Sequence, residues 1–145
     1  MRQRPVTEAL VAALRADDIP TGDGTAPDEG GWNTAKDVHQ PYAVVFPIPG
    51  GTRTGTLAEH EADASLVYQV TCVGPTDASA ERLVDDVVAV VASMQGTTVA
   101  GWRVVLTRND FGSHQVRRAD DVEPTEPVLW YGTPRFRLWL TPNNV

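Results

Sequence analysis

The fold of this chain is decided by a stretch whose hydrophobic period changes halfway through, "SLVYQVTCVGPTDASAERLVDDVVAVVASMQG", Ser65 to Gly96. In its first half, side chains alternate with the two-residue period of a pleated strand, so that Leu66, Tyr68, Val70 and Cys72 share one side. In its second half, apolar residues recur at intervals of three and four, which places them on one side of a helix. The sequence therefore predicts a strand that leads into an amphipathic helix packed on a sheet.

The helix has signals at both ends. Thr76 or Asp77 can cap the first free backbone N–H groups, and Gly96 suits the left-handed residue that follows a last turn. The many valines lower the helical propensity, but a period sustained over four turns outweighs this weak preference. The residues predicted to pack this helix on the core are Leu83, Val84, Val87, Val88 and Val91.

Apolar spacing elsewhere predicts one more helix and further strands. A first helix is expected from about Pro5 to Ala16, and a strand begins at Tyr42 that is either an edge strand or ends at Pro47. "GWRVVLTR" alternates as a third strand, "SHQVRRADDV" contributes part of a fourth, and "PRFRLWL" alternates as a half-exposed final strand. The predicted fold class is α+β, with a mostly antiparallel sheet of about four to five strands and two helices packed on one face.

The chain of 145 residues is expected to form a single domain, 1–145. Residues of about 17–40 are rich in Gly, Pro, Asp and Thr and are interpreted as a long mobile loop. Residues of about 50–64 are too polar for a core and are interpreted as an extended hairpin arm. Both segments are expected to become ordered at contacts with other subunits or partners.

The charge balance, the single cysteine and the length of the apolar runs disfavour several classes of partner and chemistry. With 12 Lys and Arg against 19 Asp and Glu, the formal charge is −7, which disfavours electrostatic binding of nucleic acid or of an anionic membrane. Cys72 is a single cysteine on the apolar side of its strand, so a plain core thiol is favoured over a catalytic one. Because no apolar run reaches membrane-spanning length, the protein is expected to be made in a cytoplasm.

Residues with catalytic or metal-binding chemistry do not converge in the sequence. His60 stands between Glu59 and Glu61, but no second His or Cys lies at ligand spacing, so a solvated acidic loop is favoured over a metal site. Asp110, Ser113 and His114 suggest a catalytic triad, yet the stretch is typical of a hairpin turn formed by Asn109, Asp110 and Gly112. No catalytic residue, cofactor or metal is predicted.

The polar side of the last predicted strand has the residue types of an interface. Trp139 alternates with Arg135 and Arg137 on the side of the last strand opposite Phe136 and Leu138, and exposed tryptophan beside arginine is typical of interfaces. The residues predicted to contact another subunit or a partner are Arg53, Glu59, Glu61, Arg135, Arg137 and Trp139.

The order of these segments resembles a known family. "PYAVVFPIPGG", an acidic polar loop, "VYQVTCVG" followed by an amphipathic helix, "GWRV" and "PRFRLWLTP" are similar to the small tail terminator (tail completion) proteins of long-tailed phages that infect actinobacteria. The resemblance extends from Pro41 to Pro142. It implies an α+β subunit, six copies of which form a ring that caps the tail tube and joins it to the head-side connector.

The resemblance also implies the partners. They are further copies of the chain in a homo-hexamer, the tail tube protein and a neck protein of the head-tail connector, in the virion after assembly in the host cytoplasm. DNA would pass through the ring without specific binding, and no catalytic residue is implied. Two alternatives remain: another neck, connector or minor tail protein, and a small cytoplasmic enzyme or ligand-binding domain.

Overall fold

The structure is a computed structural model that describes residues 3–28, 31–33, 38–53, 63–119 and 128–143. Two helices lie in these ranges, α1 (Arg4–Ala16) and α2 (Asp77–Ser93). The strands are β1 (Thr21–Asp23), β2 (Gly31–Asn33), β3 (Val38–Gln40), β4 (Tyr42–Arg53), β5 (Ala64–Gly74), β6 (Thr98–Val99), β7 (Trp102–Arg118) and β8 (Trp130–Pro142).

Six of the strands form one sheet in the order β1-β4-β5-β8-β7-β6, and β2 pairs with β3 separately. The pair β1 and β4 is parallel, whereas the other neighbours in the six-stranded sheet are antiparallel. The sheet is curled into a half-barrel, and strands account for 48% of the protein, so the sheet rather than the helices dominates the fold. The long strands β5 and β8 lie at its centre.

The predicted fold class was wrong about this sheet. A mostly antiparallel sheet of about four to five strands was expected, whereas the described residues form a curled, mixed sheet of six strands and a separate pair. The strands that the prediction missed, β1 and β6, contain three and two residues, which is too short for an alternating pattern to be visible. β1, β2 and β3 all lie within the segment 17–40 that was interpreted as a loop.

The hairpin turn predicted at Asn109 to Gly112 was also wrong, because β7 runs through it without a break. β7 stays paired with β8 throughout, and register shifts between Arg108 and Phe111 and between Ser113 and Arg117 absorb the extra residues. Such bulges bend a strand without ending it, and glycine and polar residues are tolerated there. Turn-forming residues therefore mark a bulge here.

β4 does not end at Pro47 but continues to Arg53. It lies between β1 and β5 only from Ala43 to Val45, so at Pro47 its one described neighbour in the sheet is β5, as in an edge strand. The N–H of Ala43 and the C=O of Val45 both bond toward β1, to Pro20 and Gly24. The backbone groups of successive residues in a strand point alternately to its two sides, so the nitrogen of Pro47, four residues after Ala43, also points to the side of β1. β1 ends at Asp23, which pairs with Val45, so no residue of β1 lies opposite Pro47. A proline at that position therefore removes no ladder hydrogen bond to β1.

α2 packs on the sheet through the predicted side. Leu83, Val84, Val87 and Val91 are buried and Val88 is half-buried against the same core. Thr76 is the N-cap: its hydroxyl accepts from the N–H of Ser79, whose hydroxyl in turn accepts from the N–H of Thr76. Val90, assigned to no face in the prediction, is buried as well. Gly96 has the expected positive φ of 87°.

The predicted arm lies largely outside the described residues. Arg53, the last residue of β4, is in register with Ala64, the first residue of β5, so the two strands approach the arm as an antiparallel pair. Residues 54–62, and with them Glu59, Glu61 and His60, are not among those that the structure describes.

Candidate interaction surface

The two faces of the central strands have different chemistry. On β8, Phe136, Leu138 and Leu140 point inward and are almost fully buried in the core with both helices. The opposite side, which we call the outer face, is formed by the alternate residues of three neighbouring strands. They are Ser65, Val67 and Gln69 on β5, Arg135, Arg137 and Trp139 on β8, and Leu106 and Arg108 on β7.

Strand register brings these side chains together in rows. Gln69 lies opposite Arg135, and the Nε of Arg135 donates to the Oε1 of Gln69 at 3.1 Å. Ser65 lies opposite Trp139, and its Oγ accepts from the Nη1 of Arg137 at 2.9 Å. The guanidinium carbon of Arg137 is 5.8 Å from the centroid of the Trp139 ring, within the range of a cation–π contact. These contacts orient both arginines along the outer face.

An exposed apolar corner adjoins the arginines. Val105 is 51% exposed and Leu106 is 40% exposed, and both lie where the register between β7 and β8 shifts. The shift adds one residue to β7, so two consecutive apolar side chains reach the surface instead of one. With Asp63, Ser65, Trp139 and Thr141 they line a groove of about 330 Å³. Adjoining apolar and arginine side chains are the composition expected of a protein interface.

Charge is strongly segregated between the long strands and the remainder of the chain. β4, β5, β7 and β8 together contain a single acidic residue, Asp110, of the 19 in the protein. They also contain seven of the 12 basic residues: Arg53, Arg103, Arg108, Arg117, Arg118, Arg135 and Arg137. The other segments therefore carry 18 acidic and five basic residues. A protein with a net charge of −7 thus has a sheet that is locally basic.

The structure brings three of the predicted interface residues together, namely Arg135, Arg137 and Trp139. Arg53 lies at the end of β4, and only its backbone is described. Sequence reasoning missed Val105 and Leu106. The signal that would have found them is the run of three apolar residues from Val104 to Leu106, which breaks a two-residue period and indicates a bulge.

The residues considered for catalysis lie in three places, which are the core, the exposed side of α2 and β7. Cys72 is fully buried in the core, and this burial raises the pKa of its thiol to about 12, so the reactive thiolate is disfavoured at neutral pH. Asp85 and Asp86 are exposed on α2. Asp110, Ser113 and His114 belong to β7 and their side chains are not described. Among the described residues there is no group of three or more potential metal ligands.

Comparison with known proteins shows no family for this chain. No family model matches the chain, and no curated protein is significantly similar to it. One solved structure covers 94% of this chain and 89% of its own, with 16% sequence identity and a TM-score of 0.41. The name of that protein states no activity. Neither helix in the described ranges is long and apolar enough to cross a membrane.

Proposed function

We propose that this protein is a structural component of a phage virion, a tail terminator whose six copies form a ring at the head-side end of the tail tube. The sequence resemblance between Pro41 and Pro142 supports this function. It assigns the protein two kinds of contact, one between neighbouring copies and one with the tube and the neck proteins. Its working parts are surfaces and not a catalytic centre.

The observation that carries the proposal is the outer face. Arg135, Arg137 and Trp139 lie on β8, a central strand, and adjoin the exposed Val105 and Leu106. Side chains of tryptophan and arginine are the residue types that contribute most to protein interfaces. Their positions are fixed by strand register and by bonds to Gln69 and Ser65, so little side-chain freedom is lost when a partner binds.

The rigid layer behind this face also suits an assembled subunit. α2 is fastened by buried contacts to β5, β7 and β8, and those same three strands form the outer face. A load on the outer face is therefore transmitted to a packed core, which has low compressibility. A ring that holds a tube against a connector requires such stiffness.

Deletion of the gene from the phage that encodes the protein tests the function. Electron micrographs of lysates should show filled heads and separate tails, because the junction between tube and connector is missing. Supplying the wild-type protein from a plasmid should restore joined particles, whereas an unfolded variant such as Val87→Asp should not. Normal, infectious virions formed without the protein would contradict the proposal.

A further inference from the structure

The six-stranded sheet has two edges, and the one formed by β1 and β4 resists a further strand. On β1, the C=O of Thr21 accepts a hydrogen bond from the Nε of Arg15 at 3.0 Å. Beyond β1, the outer side of β4 begins with Pro47, and Pro49 follows two residues later. Neither proline has an N–H to donate, and prolines on an edge strand hinder pairing with another chain. This edge of the sheet is therefore protected.

The edge formed by β6 and β7 is open over most of its length. β6 pairs only with the first two residues of β7, and no other described strand pairs with this side of β7. The N–H of Thr107 bonds to the side chain of Gln95 at 3.4 Å. Just after β7, Ala119 donates to the C=O of Leu129 on the side of β8, so the backbone groups of Arg118 point to the open side. β7 contains no proline that would block a further strand.

The pair of strands β2 and β3 belongs to no larger sheet in the described part of the chain. Each strand has three residues. An isolated pair of strands is marginally stable in water, and a third strand is one way to stabilise it. β3 is joined to β4 through Pro41 alone, so β2 is the member of the pair that lies farther from the six-stranded sheet along the chain.

Strand register places the β2–β3 pair and the open edge at the same end of the sheet but on opposite sides. Tyr42 of β4 lies opposite Val73 of β5, which lies opposite Tyr131 of β8, which lies opposite Arg117 of β7. β3 comes directly before one end of this row, and the open edge lies at the other end. In a ring whose axis runs along the strands, the β4 side of one copy meets the β7 side of the next at the same level.

Charge favours this pairing over the pairing of two β7 strands. Arg117 and Arg118 are exposed, and neither makes an ion pair among the described residues. Asp28 and Glu29 precede β2 in the sequence, and Asp37 directly precedes β3. Arginines at an edge oppose a second basic strand and favour a segment that is flanked by carboxylates.

We propose that β2 of one copy adds as a further strand to the edge of β7 in the next copy, at Arg118. Backbone hydrogen bonds supply the affinity of such a contact. The contact joins two different surfaces, so each copy keeps one of each for a further neighbour. Head-to-tail contacts of this kind close into rings or extend as filaments. The inference rests on the proposed ring and names its subunit contact.

Two variants at one position test the contact in the purified full chain. Arg118→Pro removes the outward N–H but no bond to β8, whereas Arg118→Ala keeps the N–H and loses the same charge. In sedimentation velocity the wild type should assemble at high concentration, and Arg118→Pro should weaken assembly about tenfold more than Arg118→Ala does. Circular dichroism and thermal melts that match the wild type show that folding is intact.

Cross-linking identifies the strand that binds to β7. When copies with Asn33→Cys and copies with Arg118→Cys are mixed, a short bis-maleimide should join them in one-to-one pairs. Neither variant should cross-link alone, because only one introduced thiol then lies at each contact. A mixture of Asn33→Cys and Glu8→Cys, an exposed position on α1, is the matched control and should stay unlinked. The native Cys72 is buried and should not react.

Four results would overturn the inference. They are a wild-type chain that stays monomeric at high concentration, Arg118→Pro that assembles like Arg118→Ala, a mixture that cross-links no more than its control, and Arg118→Cys that cross-links to itself. The last result would show two copies of β7 paired about a two-fold axis. Deletion of the gene tests the ring by a separate observation, so restored or missing junctions there are independent of these four results.

Discussion

At the scale of single residues, the fold depends on which side of α2 is buried. Val87 is fully buried and Asp86, its neighbour in sequence, is exposed. Val87→Asp places a carboxylate in the core and should lower the free energy of unfolding by about 3 kcal/mol or more, which leads to insoluble protein. Asp86→Ala should change it by less than about 0.5 kcal/mol. Thermal melts that find the two variants equally stable would contradict the helix register.

The pH dependence of stability tests whether Cys72 is buried in the core. Burial raises the pKa of its thiol from 9.0 to about 12, so the folded protein holds the thiol proton more tightly than the unfolded chain does. The stability linked to this thiol is complete below pH 9 and is lost as the pH rises toward 12. Burial also raises the pKa of Tyr68, so the Cys72 contribution is the difference between the wild type and Cys72→Ala.

Urea melts of both proteins at pH values from about 8 to about 11, a range that begins near the ordinary thiol pKa of about 8.5 and extends about two units above it, measure this difference. We expect the wild type to lose more stability than Cys72→Ala over that range. At neutral pH, a thiol reagent should label Cys72 only after denaturant is added. Rapid labelling of the native protein would show that the thiol is accessible and that the packing of β5 is wrong.

At the scale of elements, α2 packs closely against β8 at Gly132. A Cβ atom added to Gly132 would lie 2.8 Å from the Cγ2 of Val84, closer than such atoms normally approach. Gly132→Ala should therefore cost about 1 to 3 kcal/mol through overpacking. Combining it with Val84→Ala, which removes the obstructing methyl group, should cost less than the sum of the two single changes. Additive costs in chemical denaturation would mean that α2 does not rest on Gly132.

The elements that sequence reasoning predicted best are those whose pattern is local. β5 and α2 each repeat their period several times, and Thr76 and Gly96 mark the ends of the helix. The buried side of each element and the caps of α2 could therefore be predicted without knowledge of the fold. β1 and β6 are defined by pairing with distant residues, and two or three residues carry no period of their own. The continuity of β7 likewise depends on β8, which keeps the strand paired across its bulges.

The same distinction applies to the candidate interface. Arg135, Arg137 and Trp139 were predictable because β8 alternates regularly, with its inward residues plainly apolar. A strict two-residue period would place Leu106 on the same side as the buried Val104, but the register shift after Val104 turns it outward.

At the scale of the whole molecule, the distribution of charge determines whether the protein should bind duplex DNA. A duplex held by the arginines of the sheet would release counterions, and its affinity would fall steeply with salt. We expect no measurable binding of duplex DNA at about 0.15 M salt, because the net charge of −7 repels phosphate. Fluorescence anisotropy with Arg135→Ala and Arg137→Ala as comparisons checks this. Micromolar binding that both changes weaken would indicate a DNA-contacting component instead.

The proposed function requires a closed ring of six identical subunits. Electron microscopy of intact tails, with the protein located by an epitope tag, measures the symmetry of its assembly directly. We expect a six-fold ring at the head-side end of the tube. Two-fold dimers in intact tails, or tails that contain none of the protein, would contradict it.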